Sequence, residues 1–123
     1  VPYQCLGTAT PPTPQGGTIE DGTWVLTASA YYGATCPAPE QDRDLWLICG
    51  TNWQTAQEHT MGTGQPQVFT FDANVTPMNA TTVSLQITCG ANMIETVPFQ
   101  FTATPSQLTL FVGSGRVDTY VKQ

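Results

Sequence analysis

Positive charge is nearly absent from this chain. Lysine and arginine together number 3 against 9 acidic residues, for a formal net charge of −6. The three cations, Arg43, Arg116 and Lys122, are scattered. No phosphate-tracking patch can be assembled from them, so neither nucleic acid nor an anionic membrane surface is expected as a partner. No apolar run approaches the roughly 20 residues that a membrane-spanning helix requires. Histidine occurs once, at His59, with neither a GxSxG motif nor a cysteine-protease context around it. A nucleophile and base pair is therefore not expected, and His59 reads as an exposed residue near a strand end. No CxxC pair occurs either, which speaks against zinc and leaves the chain with no expected cofactor.

What is present is cysteine, threonine and alternation. Cys5, Cys36, Cys49 and Cys89 are widely spaced in a chain of 123 residues, long enough for one domain with a real core. Two disulfides are expected, a framework suited to an oxidising exterior, with four buried free thiols as the alternative. Four cysteines permit three pairings, and spacing does not choose among them. Cys36 with Cys49 would pin a long loop to a strand, leaving Cys5 and Cys89 to tie an N-terminal arm to the body. The chain begins at Val1 with no charged-then-apolar leader, and is expected to be the mature form of a secreted or cell-surface protein. Pro2-Tyr3-Gln4 before Cys5 lacks the small residues of a lipoprotein cleavage site, so lipid attachment there is not expected.

Residues 1–17 form an arm rich in proline, threonine and glycine, with Pro11-Pro12-Thr13-Pro14 inside it, and favour extended geometry. Residues 18–123 then read as a single β-domain. Trp24, Leu26, Ala28, Ala30 and Tyr32 alternate with Thr23, Val25, Thr27, Ser29 and Tyr31 in period two, which predicts a long first strand. A loop with Gly33, Cys36, Pro37 and Pro39 follows, then a second long strand from about Leu45 to Glu58, bending at Gly50. Shorter strands are predicted over 67–72, over 82–89 with Val83, Leu85, Ile87 and Cys89 on one face, and over 94–102. Gly90-Ala91-Asn92 and similar turns separate them. Gly113-Ser114-Gly115 joins a final hairpin over 108–112 and 117–121. Pro98 places its strand at an edge or a bulge. About seven to eight strands and no helix predict an all-β, disulfide-bonded antiparallel barrel or sandwich.

Gly22-Thr23-Trp24, opening the first long strand, resembles the Gly-x-Trp signature of lipocalins and related calycins, in which the tryptophan closes one barrel end. The resemblance implies that Arg116, near the start of the last strand, packs across that indole. It also implies a small apolar ligand in a barrel mouth between Trp24, Trp46 and Phe99. The runs from Gly16 to Thr27 and from Cys49 to Gln54, with the terminal Tyr120-Val121-Lys122-Gln123, look like small exported proteins and lipoproteins of myxobacteria. That likeness implies export and a compact β-fold, and no activity.

Glu40, Asp42 and Asp44 alternate over five residues and would make an oxygen-ligand site for calcium if a loop folded them inward. The spacing lacks the glycine and closing glutamate of an EF-hand, and a solvated acidic loop is the expected reading. A carbohydrate-active protein, with a carboxylate pair and aromatics stacking on sugar, is a further alternative. Asn74-Val75-Thr76 and Asn79-Ala80-Thr81 fit the N-glycosylation pattern.

Guards against edge pairing are scarce. Charged residues make up 10% of the chain, and neutral hydrogen-bonding residues, twenty-one threonines and eleven glutamines, are spread along it. The leading expectation is therefore a non-enzymatic, exported structural or surface-assembly subunit, filament- or coat-like. Copies would join by edge-strand pairing and by the arm, with Tyr3, Cys5 and Leu6 as its contact residues. The lipocalin-like binding module is the first alternative.

Overall fold

The computed structural model describes residues 1–33, 35, 36, 40–90 and 95–123. Eight strands run in an antiparallel meander: β2 (Gly22–Tyr31), β3 (Glu40–Cys49), β4 (Asn52–Met61), β5 (Gln67–Asn79), β6 (Thr82–Cys89), β7 (Thr96–Ala103), β8 (Gln107–Gly113) and β9 (Arg116–Lys122). β9 pairs back onto β2, from Trp24 opposite Lys122 to Tyr31 opposite Arg116, and the sheet closes into a barrel rather than a sandwich. A short strand β1 (Tyr3–Cys5) is added to it. The final hairpin through Gly113-Ser114-Gly115 is as the sequence predicts.

The second long strand of the sequence reading is in fact a hairpin. β3 and β4 turn at Gly50-Thr51, where Gly50 has a φ of 58° and Asp21 Oδ1 accepts from its N–H at 2.7 Å. β3 also begins five residues earlier than predicted, at Glu40. Pro98 lies inside the barrel wall, opposite Ser84 of β6, but the β7–β8 ladder begins only at Gln100. Its missing N–H therefore interrupts no pairing on that side. Pro37, Pro39, Ala91, Asn92 and Ile94, named for a loop, a turn and a strand start, lie outside the described residues.

One irregularity shapes the rest of the wall. Leu26 pairs with Tyr120 and Ala28 with Thr119, so Thr27 is an extra residue on β2. Such a bulge reverses the facing of every residue beyond it. The predicted alternation holds for Trp24 and Leu26, which are buried, and then inverts: Ser29 is fully buried and Tyr31 faces inward in place of Ala28 and Ala30. A second bulge at Thr88 does the same to β6. Ile87 pairs with Ala73 but Cys89 with Asp72, and Cys89 is turned out to solvent, off the face it was expected to share with Val83, Leu85 and Ile87.

Beyond the Thr27 bulge β2 and β3 part, for their ladder covers only Gly22–Val25 against Leu45–Ile48. The arm fills the gap. β1 lies parallel to β2, with Tyr3 opposite Ser29 and Cys5 opposite Tyr31, while Pro2 bridges antiparallel to Gln41 of β3. The chain then passes over the outside of the barrel, where Pro11, Pro12 and Pro14 lie beside Pro98, Phe111 and Val117. Gly16 pairs with Thr102, and residues 17–21 cross the near end of the barrel, where Ile19 packs on the core and the Trp24 indole donates to Glu20 O at 3.0 Å. Open edges and a free arm, the premises of the assembly reading, are therefore replaced by a closed ladder and an arm spent on its own barrel.

Disulfide bonding is likewise corrected. Cys5 is bonded to Cys36, locking the end of β1 to the β2–β3 connection, while Cys49 and Cys89 are exposed free thiols. Cys49 stands at the β3–β4 turn and Cys89 at the opposite end of β6, with β4 and β5 between them. Three inter-strand steps of about 4.8 Å already exceed the Cα separation that a disulfide spans. Alkylation of the folded, unreduced protein is expected to label two cysteines, Cys49 and Cys89, by peptide mapping. Labelling of Cys5 or Cys36 would contradict the pairing.

Gly17 carries a strict backbone requirement: its φ is 119°, and a Cβ there would stand 2.2 Å from the carbonyl oxygen of Ala103. Gly17→Ala is expected to lower stability by about 1–3 kcal/mol in urea unfolding. Gly33→Ala, at a position with open space around it, is expected to stay within about 0.5 kcal/mol.

Candidate functional site

Inward alternation divides the barrel into two unlike halves. At the end crossed by residues 17–21, Trp24, Ile48, Trp53, Val75, Val83, Phe101 and Leu108 are buried together. Toward the other end the inward positions of β3 become Asp44, Asp42 and Glu40, and those of β9 become Tyr120, Asp118 and Arg116. All of these except Glu40 line one wall of a cavity of about 330 Å³, and its other wall is Phe69, Phe71, Ile87, Val97, Phe99 and Val112. Phe69 and Val112 are large apolar side chains left 50% and 38% exposed at this cavity. Trp46 forms the floor, edge-on to Phe71 at 5.7 Å and to Trp53 at 5.5 Å.

The polar wall is a connected network around Arg116. Its Nε donates to both oxygens of Asp118 at 2.9 Å, its Nη2 to Asp42 Oδ2 at 2.7 Å and its Nη1 to the Tyr3 hydroxyl at 3.0 Å. The guanidinium carbon also stands 5.0 Å from the Tyr3 ring centroid. Tyr3 donates to Asp42, His59 Nδ1 bonds the other Asp42 oxygen, and Ser29 donates to Asp118 at 2.6 Å. Deeper in, Asp44 accepts from Thr55 at 2.8 Å, Gln57 at 3.1 Å and Tyr120 at 2.6 Å. The buried Trp46 Nε1 has no hydrogen-bond partner among the described residues.

Burial and pairing act against each other at each titrating group. Desolvation alone would raise Asp42, but hydrogen bonds from Tyr3 and His59 and the charge of Arg116 hold it below its ordinary 3.8. Asp44 lies deeper, with no cation beside it, and burial raises it despite three donated hydrogen bonds. Burial pulls Arg116 down, yet the Asp118 carboxylate, with Tyr3 and Asp42, more than restores it above its usual value. Tyr3 is pushed up by burial and its bond to Asp42, against the opposing charge of Arg116. Tyr120 is driven up by burial and then by the Asp44 and Asp118 charges.

Several expectations change here. Glu40, Asp42 and Asp44 are neither a solvated loop nor a calcium site: they face inward from a strand, and the Asp42 and Asp44 oxygens are taken by internal donors. Among the described residues no group of three or more carboxylate, histidine or cysteine side chains is placed to hold a metal ion. His59 is half-buried between Asp42 and Glu40 rather than exposed, its Nε2 3.6 Å from the Glu40 carboxylate. Of the three residues expected at a mouth, Trp46 and Phe99 line the cavity, but Trp24 is buried at the opposite end. Arg116 does not reach that indole, because β9 runs antiparallel to β2 and its start meets Tyr31. Lys122, directly opposite Trp24, places its Nζ 5.9 Å over the ring instead. Of the expected arm contacts, Tyr3 joins the polar wall, Cys5 is disulfide-bonded, and Leu6 is 39% exposed with its N–H on Tyr31 O.

No family model, curated protein or solved structure matches the chain. The likenesses to lipocalins and to exported myxobacterial proteins therefore rest on the quoted residues alone.

Asp42 and Asp44 give stability a non-monotonic pH dependence. A raised folded pKa means that Asp44 holds its proton more tightly in the folded state, so stability rises as the pH falls from neutral toward 3.8. Asp42 has the opposite sign, and its contribution is lost as the pH falls below 3.8 through its lowered folded pKa. Urea midpoints across pH 2–7 are expected to peak at about pH 4. Asp44→Asn is expected to remove the rise between neutral pH and the peak while leaving the acid fall intact.

Proposed function

We propose that this protein is an exported, non-enzymatic binding barrel for a small, largely apolar ligand held in the cavity between the Phe69–Phe99 wall and the Arg116 wall. The observation that carries this reading is the half-exposed apolar wall facing an enclosed polar network. Phe69 and Val112 leave apolar surface unsatisfied within a cavity whose volume lies at the small end of ligand pockets, roughly 300–1,000 Å³. Burying such surface under a ligand recovers about 25 cal/mol per Å².

The polar wall favours binding over turnover. A general base needs a free lone pair within reach of substrate, and the Asp42 and Asp118 oxygens are engaged by Arg116, Tyr3, Ser29 and His59. Carboxylates satisfied in this way support orienting and excluding roles for Asp42 and Asp118. Export is supported by the Cys5–Cys36 disulfide, a bond that persists in oxidising surroundings. Among the described residues no helix is long and apolar enough to cross a membrane.

The neutral fluorophore N-phenyl-1-naphthylamine tests the reading. A saturable 1:1 fluorescence increase with Kd at or below about 10 μM is expected. Val112→Trp, which fills the cavity mouth from an exposed position, should weaken it by about tenfold or more. Absence of saturable binding up to about 100 μM, or equal binding to the Val112→Trp variant, would sink the proposal.

A further inference from the structure

Among the described residues, the outer surface of the barrel is clothed on one side. Pro11, Pro12 and Pro14 lie along β7, β8 and β9, beside Phe111 and Val117. Among the described residues no such strap covers β2, β3 and β4, and the strand register there aligns apolar residues side by side. Val121 stands opposite Val25, Val25 opposite Leu45, and Leu45 opposite Ala56, a continuous outward row across four strands. Leu47, 43% exposed, and Val68, 67% exposed, flank it. Within the row Val25 and Leu45 are half-buried while Ala56 and Val121 are exposed, so one copy alone leaves apolar surface there for a partner to cover.

Charge beside the row identifies what fits. Arg43 on β3 stands directly opposite Glu58 on β4, yet their intramolecular contact is long, 3.8 Å, and the Arg43 side chain is 83% exposed. The pair is weakly used within one copy. Consider a two-fold axis parallel to the strands and midway between β3 and β4. That operation lays β3 of one copy over β4 of the other at equal height. Arg43 then meets Glu58 of the second copy twice, and Leu45 meets the small Ala56 twice. Large lies against small and positive against negative, as an isologous interface demands. A depression of about 410 Å³ lies along the row itself, lined by Val25, Leu45, Ala56 and Glu58 with Val1 and Val68, and gives the incoming side chains room.

We propose that this face is the interface of a homodimer, formed by the Val25–Leu45–Ala56 row and bordered on one side by two reciprocal Arg43–Glu58 pairs. Anionic lipid is a poor occupant, since the face offers one cation on a molecule of net charge −6. Joining of copies thus acts through a sheet face and not through strand edges.

Sedimentation velocity across about 5–500 μM tests this, in a Cys49→Ser, Cys89→Ser background so that no intermolecular disulfide contributes. A concentration-dependent species of twice the 13.2 kDa monomer mass is expected. Ala56→Arg should weaken the dimer at least about tenfold. Arg43→Glu alone and Glu58→Arg alone should each weaken it about tenfold, while the double exchange recovers most of the loss. Unchanged circular dichroism and urea midpoints identify the variants as folded. A monomer at every concentration overturns the proposal, as does a dimer indifferent to Ala56→Arg or one whose charge reversals show no recovery on exchange.

Discussion

The closing ladder between β2 and β9 is the constraint on which the rest of the molecule depends. β2 must follow β9 along its whole length to shut the barrel, and it does so only by accommodating Thr27 as a bulge. The local twist that a bulge adds carries β2 away from β3. A barrel wall parted in this way would expose unpaired backbone groups to solvent and to neighbouring chains. Residues 1–5 remove that exposure by pairing with both strands, and the Cys5–Cys36 bond keeps them there. The arm is thus a consequence of closure rather than an appendage to it.

The same bulge decides the chemistry of the interior. With its parity reversed, β2 presents Ser29 and Tyr31 to the lumen, Ser29 on Asp118 and Tyr31 opposite Arg116 of β9. Carboxylates buried beside an arginine are costly unless their lone pairs are filled, and here Asp42 and Asp118 are filled largely by Arg116, Tyr3 and Ser29. Such a network adds little net stability for the charge it buries, but it fixes which half of the barrel is polar. The apolar half needs no equivalent device, because Trp24, Trp53 and Phe101 pack against the crossing segment at Ile19.

Some of the site was legible in the alternation itself. Glu40, Asp42 and Asp44 have the parity of Trp46 and Ile48, and Arg116 and Asp118 have that of Tyr120. Extending each period-two pattern past its apolar part would have placed all five polar residues inside. A reading that ends strands where hydrophobicity ends misses them, since a barrel with a polar cavity keeps the facing and changes only the chemistry. Tyr3 carried no such signal. Its place beside Arg116 follows from a parallel pairing with β2 that no local pattern announces.

Composition and periodicity by themselves determined an all-β domain, the final hairpin, the buried Trp24 that opens the first long strand, and the chance of a disulfide. These properties are local: they depend on residues within a strand length of one another. Tertiary structure alone decided that Cys5 meets Cys36, that Lys122 rather than Arg116 covers Trp24, and that Asp42 meets residues 39 and 74 positions away. Such meetings are set by the register and closure of the sheet, where one extra residue on β2 moves every later side chain to the other face.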